Sequence, residues 1–475
     1  MKTVIIGNGI LASSIAYRLS KESSGADEIV IIGNKNRENA ASSAAPAMLN
    51  SFAEVEKDSL KTKIDLYKFK LSIEATKAWP GFEKEVNQDA FPEKHSNMQG
   101  FSSGTYIINN CAADDLEDEN YNAIIGACEK FNEKFSHVSP SDIPNYDPEQ
   151  KYRATRALYI DNEGWVNPLY FIDKLTIALS KKSNVKNIYQ NAIKINCSNK
   201  NIKSITTSDG NEIEADQYIL ANGASVTDLL EISKIDLEVP RVFYGVGMSI
   251  EIRSQDFPHS KCIRTPNRGL ACGLYTAPYI SSENQSQNHI IVGASNFISA
   301  SPNSKGRLGS MENLVSGAIE QINRNFYRAE YLKTNIGMRP TSQDTYPLLG
   351  KTSIKNLIIV TGTKREGFHL SPIISDKIVK IIKGRSVEKE FNLFRPERKL
   401  IHNLTRNESI EKSVRHLINA EYQHGFQPSK NRLLDKLRSV YKDDLEKLHD
   451  QVGADNWGIP TEMIDMYRYG HAKAS

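Results

Sequence analysis

Apolar and polar positions along the chain fall into blocks whose period changes from place to place. Val4-Ile5-Ile6 is a short β-branched run and predicts a buried strand over 3–6. Leu11, Ile15 and Leu19 then recur every fourth position, which predicts a helix over 10–21. Ile29-Val30-Ile31-Ile32 predicts a second buried strand over 28–32. Strand, glycine turn, helix and strand together open a βαβ unit. A small Ser/Ala block at 40–49 precedes an amphipathic helix over 59–79, read from Leu60, Ile64, Leu71 and Trp79. The stretch 85–150 is polar, and its run Asp114-Asp115-Leu116-Glu117-Asp118-Glu119 reads as a solvated face.

Denser patterning resumes near 157. Asn167-Pro168 precedes a helix over 169–180, and strands are expected over 188–195 and 202–206. Asp209-Gly210 marks a hairpin turn, and 215–220 is a buried strand ending at Asn222-Gly223-Ala224. Residues 242–297 are β-rich, with strands over 242–252, 270–275 and 289–295. A helix over 308–329, a strand over 354–363 and a helix over 372–383 follow. No internal repeat and no low-complexity linker is visible.

Composition narrows the class. At 475 residues the chain has room for two to three domains of about 150 residues and buries its core without staples. Lys and Arg number 60 against 57 Asp and Glu, a net charge of +3, too balanced to imply a nucleic-acid or membrane partner by charge alone. The five cysteines include no Cys-x-x-Cys pair, so neither a disulfide framework nor a zinc site is expected. No apolar run approaches the ~18 residues of a spanning helix. The first apolar run is cut at once by Gly7-Asn8-Gly9, with Ser13, Ser14, Tyr17 and Arg18 beyond, so it reads as a first strand and not a secretory signal. A cytoplasmic chain without a membrane or nucleic-acid partner is expected; homo-oligomerisation stays open.

The chemistry begins at Gly7-Asn8-Gly9-Ile10-Leu11-Ala12, which fits Gly-x-Gly-x-x-Gly/Ala between a strand and a helix. Gly7 takes the tight turn, Gly9 lets a pyrophosphate approach the backbone, and Ala12 permits close packing, with the phosphate on the helix N-terminus beside Ile10 and Leu11. The acid that grips the adenosine ribose belongs about 20 residues on. Gly33 stands there, followed by Asn34, Lys35 and Asn36. Asn34, Asn36 or a backbone group is left to replace it. This motif alone does not separate NAD from FAD, but a Cys-x₄-Cys pair and a second full nucleotide motif are both missing.

Four further segments, taken with the first, resemble the D-amino-acid oxidase / glycine oxidase / sarcosine oxidase family of FAD enzymes. Ala41-Ser42-Ser43-Ala44-Ala45-Pro46-Ala47-Met48-Leu49 looks like the family's small-residue loop along the pyrophosphate and flavin. The strand 215–220, running into Ala221-Asn222-Gly223-Ala224, resembles its adenosine-side turn, and Asn191-Ala192-Ile193 its adenine-facing strand. Leu274-Tyr275-Thr276-Ala277-Pro278 and Ile291-Val292-Gly293-Ala294-Ser295 resemble paired strands of its substrate domain. Gly337-Met338-Arg339-Pro340, with Asp344, Pro347 and Gly350, matches its Gly-x-Arg-Pro…Asp…Pro…Gly segment, and Gly362-Thr363-Lys364-Arg365-Glu366-Gly367-Phe368-His369-Leu370-Ser371-Pro372 its closing turn.

The resemblance covers roughly 1–390 and implies an α/β fold: a Rossmann-like FAD-binding domain interleaved with a β-rich substrate domain. The segments divide as 1–84, 156–238 and 335–394 for FAD and 85–155 and 239–334 for substrate. It implies FAD held by Gly7, Gly9, Ile10, Leu11, Asn34, Ser42, Ser43, Ala44, Met48, Ile193, Ala221 and Gly223, with Arg365, Gly367, Phe368 and His369 at the flavin ring. It also implies oxidation of an amino-acid C–N bond, with oxygen or another acceptor taking the electrons. Arg339 inherits the substrate carboxylate, unless it merely pairs with a carboxylate between domains. Tyr244, Tyr275 and His369 are further substrate candidates; for the tyrosines, and for Tyr279, packing is the alternative, and for His369 a satisfied surface position. Cys262 and Cys272 read as buried small hydrophobes, and no covalent flavin link is signalled. A 2-hydroxy-acid dehydrogenase, or a non-catalytic nucleotide-fold protein, stands as the rival reading.

Residues 395–475 lie beyond the resemblance as a C-terminal helical extension. Its stripes are Ile410, Val414 and Leu417, then Leu433, Leu434, Leu437, Val440, Tyr441, Leu445, Leu448 and Val452. Packing on the core is the expected role, with Trp457 and Tyr467 as candidates to reach inward.

Overall fold

A computed structural model describes residues 1–23, 26–92, 101–110, 112, 115–269, 273–279, 288–423 and 431–474. Among these residues the first sheet has six strands in the order Leu348–Lys351, Leu357–Thr361, Gln217–Leu220, Lys2–Ile6, Glu28–Ile32 and Val185–Ile188. All pair in parallel except the Leu348–Lys351 edge, which is antiparallel. Parallel strands are covered on both faces, so they read as continuous apolar runs. Ile5, Ile29 and Ile31 face helices Ile10–Glu22, Lys63–Ala90, Pro168–Ser180 and Gly367–Ile382. Val4, Ile6, Val30 and Ile32 face a three-stranded antiparallel sheet of Ala192–Ser198, Asn201–Thr207 and Glu212–Glu214.

Among the described residues the second sheet has ten strands. Val242–Arg253, buried along nearly its whole length, has Glu330–Ser342 antiparallel on one side and His289–Gly293 and Phe297–Ser299 on the other. Beyond His289–Gly293 the sheet continues through Tyr275–Pro278, Cys262–Arg264, Phe101–Asn109 and Arg156–Val166 to Met48–Leu49. Glu330–Ser342 is a strand that patterning does not announce, because its first half is largely exposed and lacks an apolar run.

Several expected elements shift. The helix expected over 59–79 is Lys63–Ala90, capped by Thr62, whose hydroxyl accepts from the Asp65 amide at 3.2 Å. Leu60 therefore precedes it. It runs through Pro80, which costs about 3 kcal/mol in a helix interior, because Trp79, Phe82, Val86 and Ala90 keep one face in the core at 0–2% exposure. The helix expected from 372 begins at Gly367, since Phe368 and Leu370 are also core residues. The helix expected over 308–329 ends at Gly317 and passes into a π turn and a 3₁₀ turn. The strand expected over 188–195 is two strands in different sheets, Val185–Ile188 and Ala192–Ser198. The acidic run is not a simple solvated face. Glu117 is fully buried against Arg268 at 3.0 Å, Asp118 pairs with Arg156, and Glu119 pairs with Lys57 and Arg415. Asp114 and Cys272, and the start of the strand expected over 270–275, lie outside the described residues.

In the extension, helices Arg406–Gln423 and Asn431–Gln451 pack with Ile464–Arg468 on Phe243 and Ile298 of the second sheet. Leu434, Leu437, Tyr441, Leu445, Leu448 and Val452 face that contact, whereas Leu433 and Val440 are 50% and 56% exposed. No described helix is long and apolar enough to cross a membrane.

Candidate active site

Strands Lys2–Ile6, Glu28–Ile32, Gln217–Leu220 and Leu357–Thr361 end on the same side of the first sheet. The chain leaves Lys2–Ile6 toward Glu28–Ile32 on one flank and returns through Gln217–Leu220 on the other. Such a switch point opens a crevice at the strand ends. A cleft of about 630 Å³ lies there and extends to the second sheet, within the range of small-molecule sites.

One end is a phosphate cradle. Gly7 has φ +113°, and a Cβ there would sit 2.3 Å from the Ala221 carbonyl oxygen, so only glycine closes this turn. Gly9, at the N-cap of Ile10–Glu22, has no side chain of its own to cap the helix start, where an anion is favoured. Ser42 accepts from the Ile10 amide at 3.0 Å and fixes the Ser/Ala loop on the helix start. Ala44, Met48, Ala221, Gly223 and Asn34 line the same cleft. Ser43 and Ile193 do not. The Ser43 hydroxyl turns back to the carbonyls of Arg37 and Ala40, at 2.9 and 3.0 Å. Ile193 alternates outward and is 47% exposed, while Asn191 and Ala192 face the cleft.

The other end joins the two sheets. Arg339 lies on Glu330–Ser342, opposite Gly245. Its guanidinium donates to the Ser295 carbonyl at 3.1 Å and the Asn296 side-chain oxygen at 3.0 Å. Among the described residues no carboxylate pairs with it, so the interdomain ion pair considered from sequence is not formed. Tyr244 and Tyr275 are buried walls. The Tyr244 hydroxyl donates to Asp228, and burial together with that carboxylate pushes it up to about 12. Tyr279 is buried against His289 and does not reach the cleft.

Arg365, Gly367, Phe368 and His369 line the cleft from the turn before Gly367–Ile382. His369 is a buried residue, not a surface one. Its Nε2 lies 2.8 Å from the Thr76 hydroxyl, and its carbonyl accepts from Trp79 Nε1 at 2.8 Å. Arg365 pairs with Glu54 at 3.0 Å. Burial would raise the Glu54 carboxyl, but Arg365 and Arg264 outweigh it and hold the group down to about 2. Glu54, Arg37 and Glu38 also line the cleft, brought there by chain folding, as do Asn8 and Lys364, which stand within the two glycine-rich segments but carry no motif role.

The extension contributes no described residue to the lining, so Trp457 and Tyr467 do not reach inward. Trp457 packs between His402 and Tyr467, whose hydroxyl accepts from Gln343 at 2.8 Å. The extension does touch the cleft's outer layer, through Lys412 on Glu56 at 3.3 Å and Glu462 on Lys364. Cys262 is buried, and burial raises its thiol.

Buried histidines set an acid limit. Burial lowers His259, His369 and His416 each to about 4. The unfolded chain protonates them near 6.5, so it binds more protons than the native state between about 6.5 and 4, and stability falls as the pH falls through that window. Glu163 acts oppositely. Burial raises it to about 7 despite the amides of Ser51, Phe52 and Ala53, so its contribution is present below 4.5 and lost toward 7. Three groups against one predict a thermal midpoint that drops from pH 6.5 to pH 4.5. A midpoint that rises on acidification across this range contradicts the assignment.

Comparisons with known proteins agree with this architecture. A family model described as FAD dependent oxidoreductase matches residues 2–381. The D-amino acid dehydrogenase of Vibrio vulnificus (strain YJ016) is 22% identical over 273 residues, 57% of this chain and 62% of that one. The chain spans 39% to 62% of the length of the curated relatives it matches. The structure of glycine oxidase from Geobacillus kaustophilus superposes with a TM-score of 0.68 at 19% identity, over 84% of this chain and 99% of that one. Iminodiacetate oxidase from Chelativorans sp. BNC1 gives 0.67 at 18% identity, over 83% and 98%. At these identities the likeness is one of fold.

Proposed function

The chain belongs to the FAD dependent oxidoreductase family, and from that premise we propose that it oxidises the C–N bond of a small amino acid or N-substituted amino acid, with oxygen as electron acceptor. The observation that carries this reading is Arg339, a guanidinium at the cleft held by two neutral oxygens and by no carboxylate among the described residues. A substrate carboxylate meets its fork at two points.

The residues present fit FAD. Gly7, Gly9 and the helix start at Ile10–Glu22 suit the pyrophosphate, with Ser42 and Ala44 alongside. Met48, Arg365, Gly367, Phe368 and His369 suit the flavin end. Bound FAD supplies the two-electron acceptor for the hydride on the substrate Cα. Arg339 orients the substrate, and a fixed carboxylate limits where the Cα–H can point. Neutral His369, its ring held by Thr76 and its carbonyl by Trp79, adds no charge to the cleft lining. The amine becomes an imine as hydride leaves, and water then converts it to a keto or aldehyde acid with release of ammonia or an amine.

The purified protein is expected to be yellow, and its flavin band to bleach anaerobically with members of a panel of amino acids and N-alkyl glycines, with ammonia or amine released. A colourless protein that FAD does not reconstitute overturns the proposal. Bleaching by 2-hydroxy acids alone replaces it with the hydroxy-acid reading.

A further inference from the structure

The ribose position departs from the nucleotide-binding pattern, and the structure shows what fills it. The acid expected at the end of Glu28–Ile32 would start from a Cβ on residue 33. A Cβ built on Gly33 lies 2.6 Å from Asn8 Cγ, 2.8 Å from its Oδ1 and 2.9 Å from its Cβ. The Asn8 side chain therefore occupies the volume where an acidic side chain would begin. The two positions are coupled: residue 33 is glycine because residue 8 reaches across from the neighbouring strand end.

The amide of Asn8 has a fixed sense. It donates through Nδ2 to the Asn34 carbonyl at 2.7 Å. A carbonyl only accepts, so the contacting atom is the NH₂ and the remaining atom is the acceptor oxygen. The Asn8 backbone carbonyl is itself gripped by Arg37 Nε at 2.9 Å and Ser13 Oγ at 3.2 Å, which anchors the residue. Among the described residues none donates to Oδ1, and Asn8 lines the cleft. The candidates from sequence are already engaged: the Asn34 side-chain oxygen accepts from the Asn36 amide at 3.1 Å, its backbone oxygen accepts from Asn8, and Asn36 does not line the cleft.

We propose that Asn8 Oδ1 is the acceptor for the adenosine 2′-hydroxyl of FAD, a neutral amide standing where the pattern places a carboxylate. This rests on the FAD reading above. The juxtaposition of Asn8 with Gly33 carries it, because one side chain both excludes the usual acid and presents the same acceptor function.

The test compares FAD with its 2′-deoxyadenosine analogue, measured as dissociation constants by flavin fluorescence with apoprotein. Wild type binds FAD about tenfold more tightly than the analogue, the worth of one well-placed hydrogen bond. Asn8→Ala binds both equally, near the wild-type affinity for the analogue. Glu38→Gln, also at the cleft, keeps the tenfold preference. Equal wild-type affinity for the two dinucleotides overturns the proposal without any variant. An Asn8→Ala protein that keeps the preference, or a Glu38→Gln protein that loses it, also overturns it. Failure of the wild type to bind FAD at all defeats the family-based reading first and this one with it; FAD binding without discrimination defeats this one alone.

Discussion

Arg339→Ala is expected to lower kcat/KM for a carboxylate substrate by roughly a hundredfold, corresponding to about 3 kcal/mol for a lost, largely desolvated charge pair. Most of the loss should appear in KM, since the contact is made in ground and transition states alike. FAD absorbance should be unchanged, because the cradle around Gly7 and Gly9 lies at the opposite end of the cleft. Arg339→Lys should recover only part of the loss, as an ammonium keeps the charge but not the two-point fork. The neighbouring strand offers an independent route to the same effect. Gly247 pairs with Gly337, and a Cβ on it would lie 2.1 Å from the Arg339 guanidinium. Gly247→Ala must push that group aside and should raise KM with FAD still bound. An unchanged KM in both Arg339→Ala and Gly247→Ala refutes the anchor role.

Legibility in the sequence followed the physics of each element. Strands buried on both faces, such as Val4-Ile5-Ile6 and Ile29 to Ile32, announce themselves as apolar runs. Gly7 announces itself because no other residue closes that turn. Arg339 was found through the resemblance of its segment, not through the pattern of its strand, whose outer half is half-solvated and mute. Asn8 was visible only as the unnamed position between two glycines; its meaning depends on Gly33, reached across a sheet. Glu54, too, meets Arg264 and Arg365 only after distant segments fold together. Trp79, Phe82 and Val86 show the reverse limit, where burial overrode a proline that local preference would have made a boundary.

The start of the extension is tied down by a distant ion pair, and breaking it gives the largest expected effect on stability. Arg398 forms a two-point ion pair with Asp344, in the segment that also carries Arg339; the two side chains are only 6% and 1% exposed. Asp344 also accepts from the amides of Tyr346 and Ile401, both at 3.1 Å. It thus ties the turn after Glu330–Ser342 to the start of the extension. Arg398→Met leaves this carboxylate buried and without its cation, and should cost about 3–5 kcal/mol. Adding Asp344→Asn removes the stranded charge and keeps a side-chain acceptor for one of the two amides, its NH₂ taking the place of the other oxygen. The double variant should therefore recover part of the lost thermal midpoint, although it carries one more substitution. That inversion separates electrostatic stranding from simple loss of packing, which would make the double variant no better than the single. Because Asp344 lies five residues beyond Arg339, the single variant should also raise KM, and the double variant should bring KM back with the midpoint. A midpoint unmoved by Arg398→Met would mean that the extension is held by its apolar contacts on Phe243 and Ile298 and that the ion pair contributes nothing.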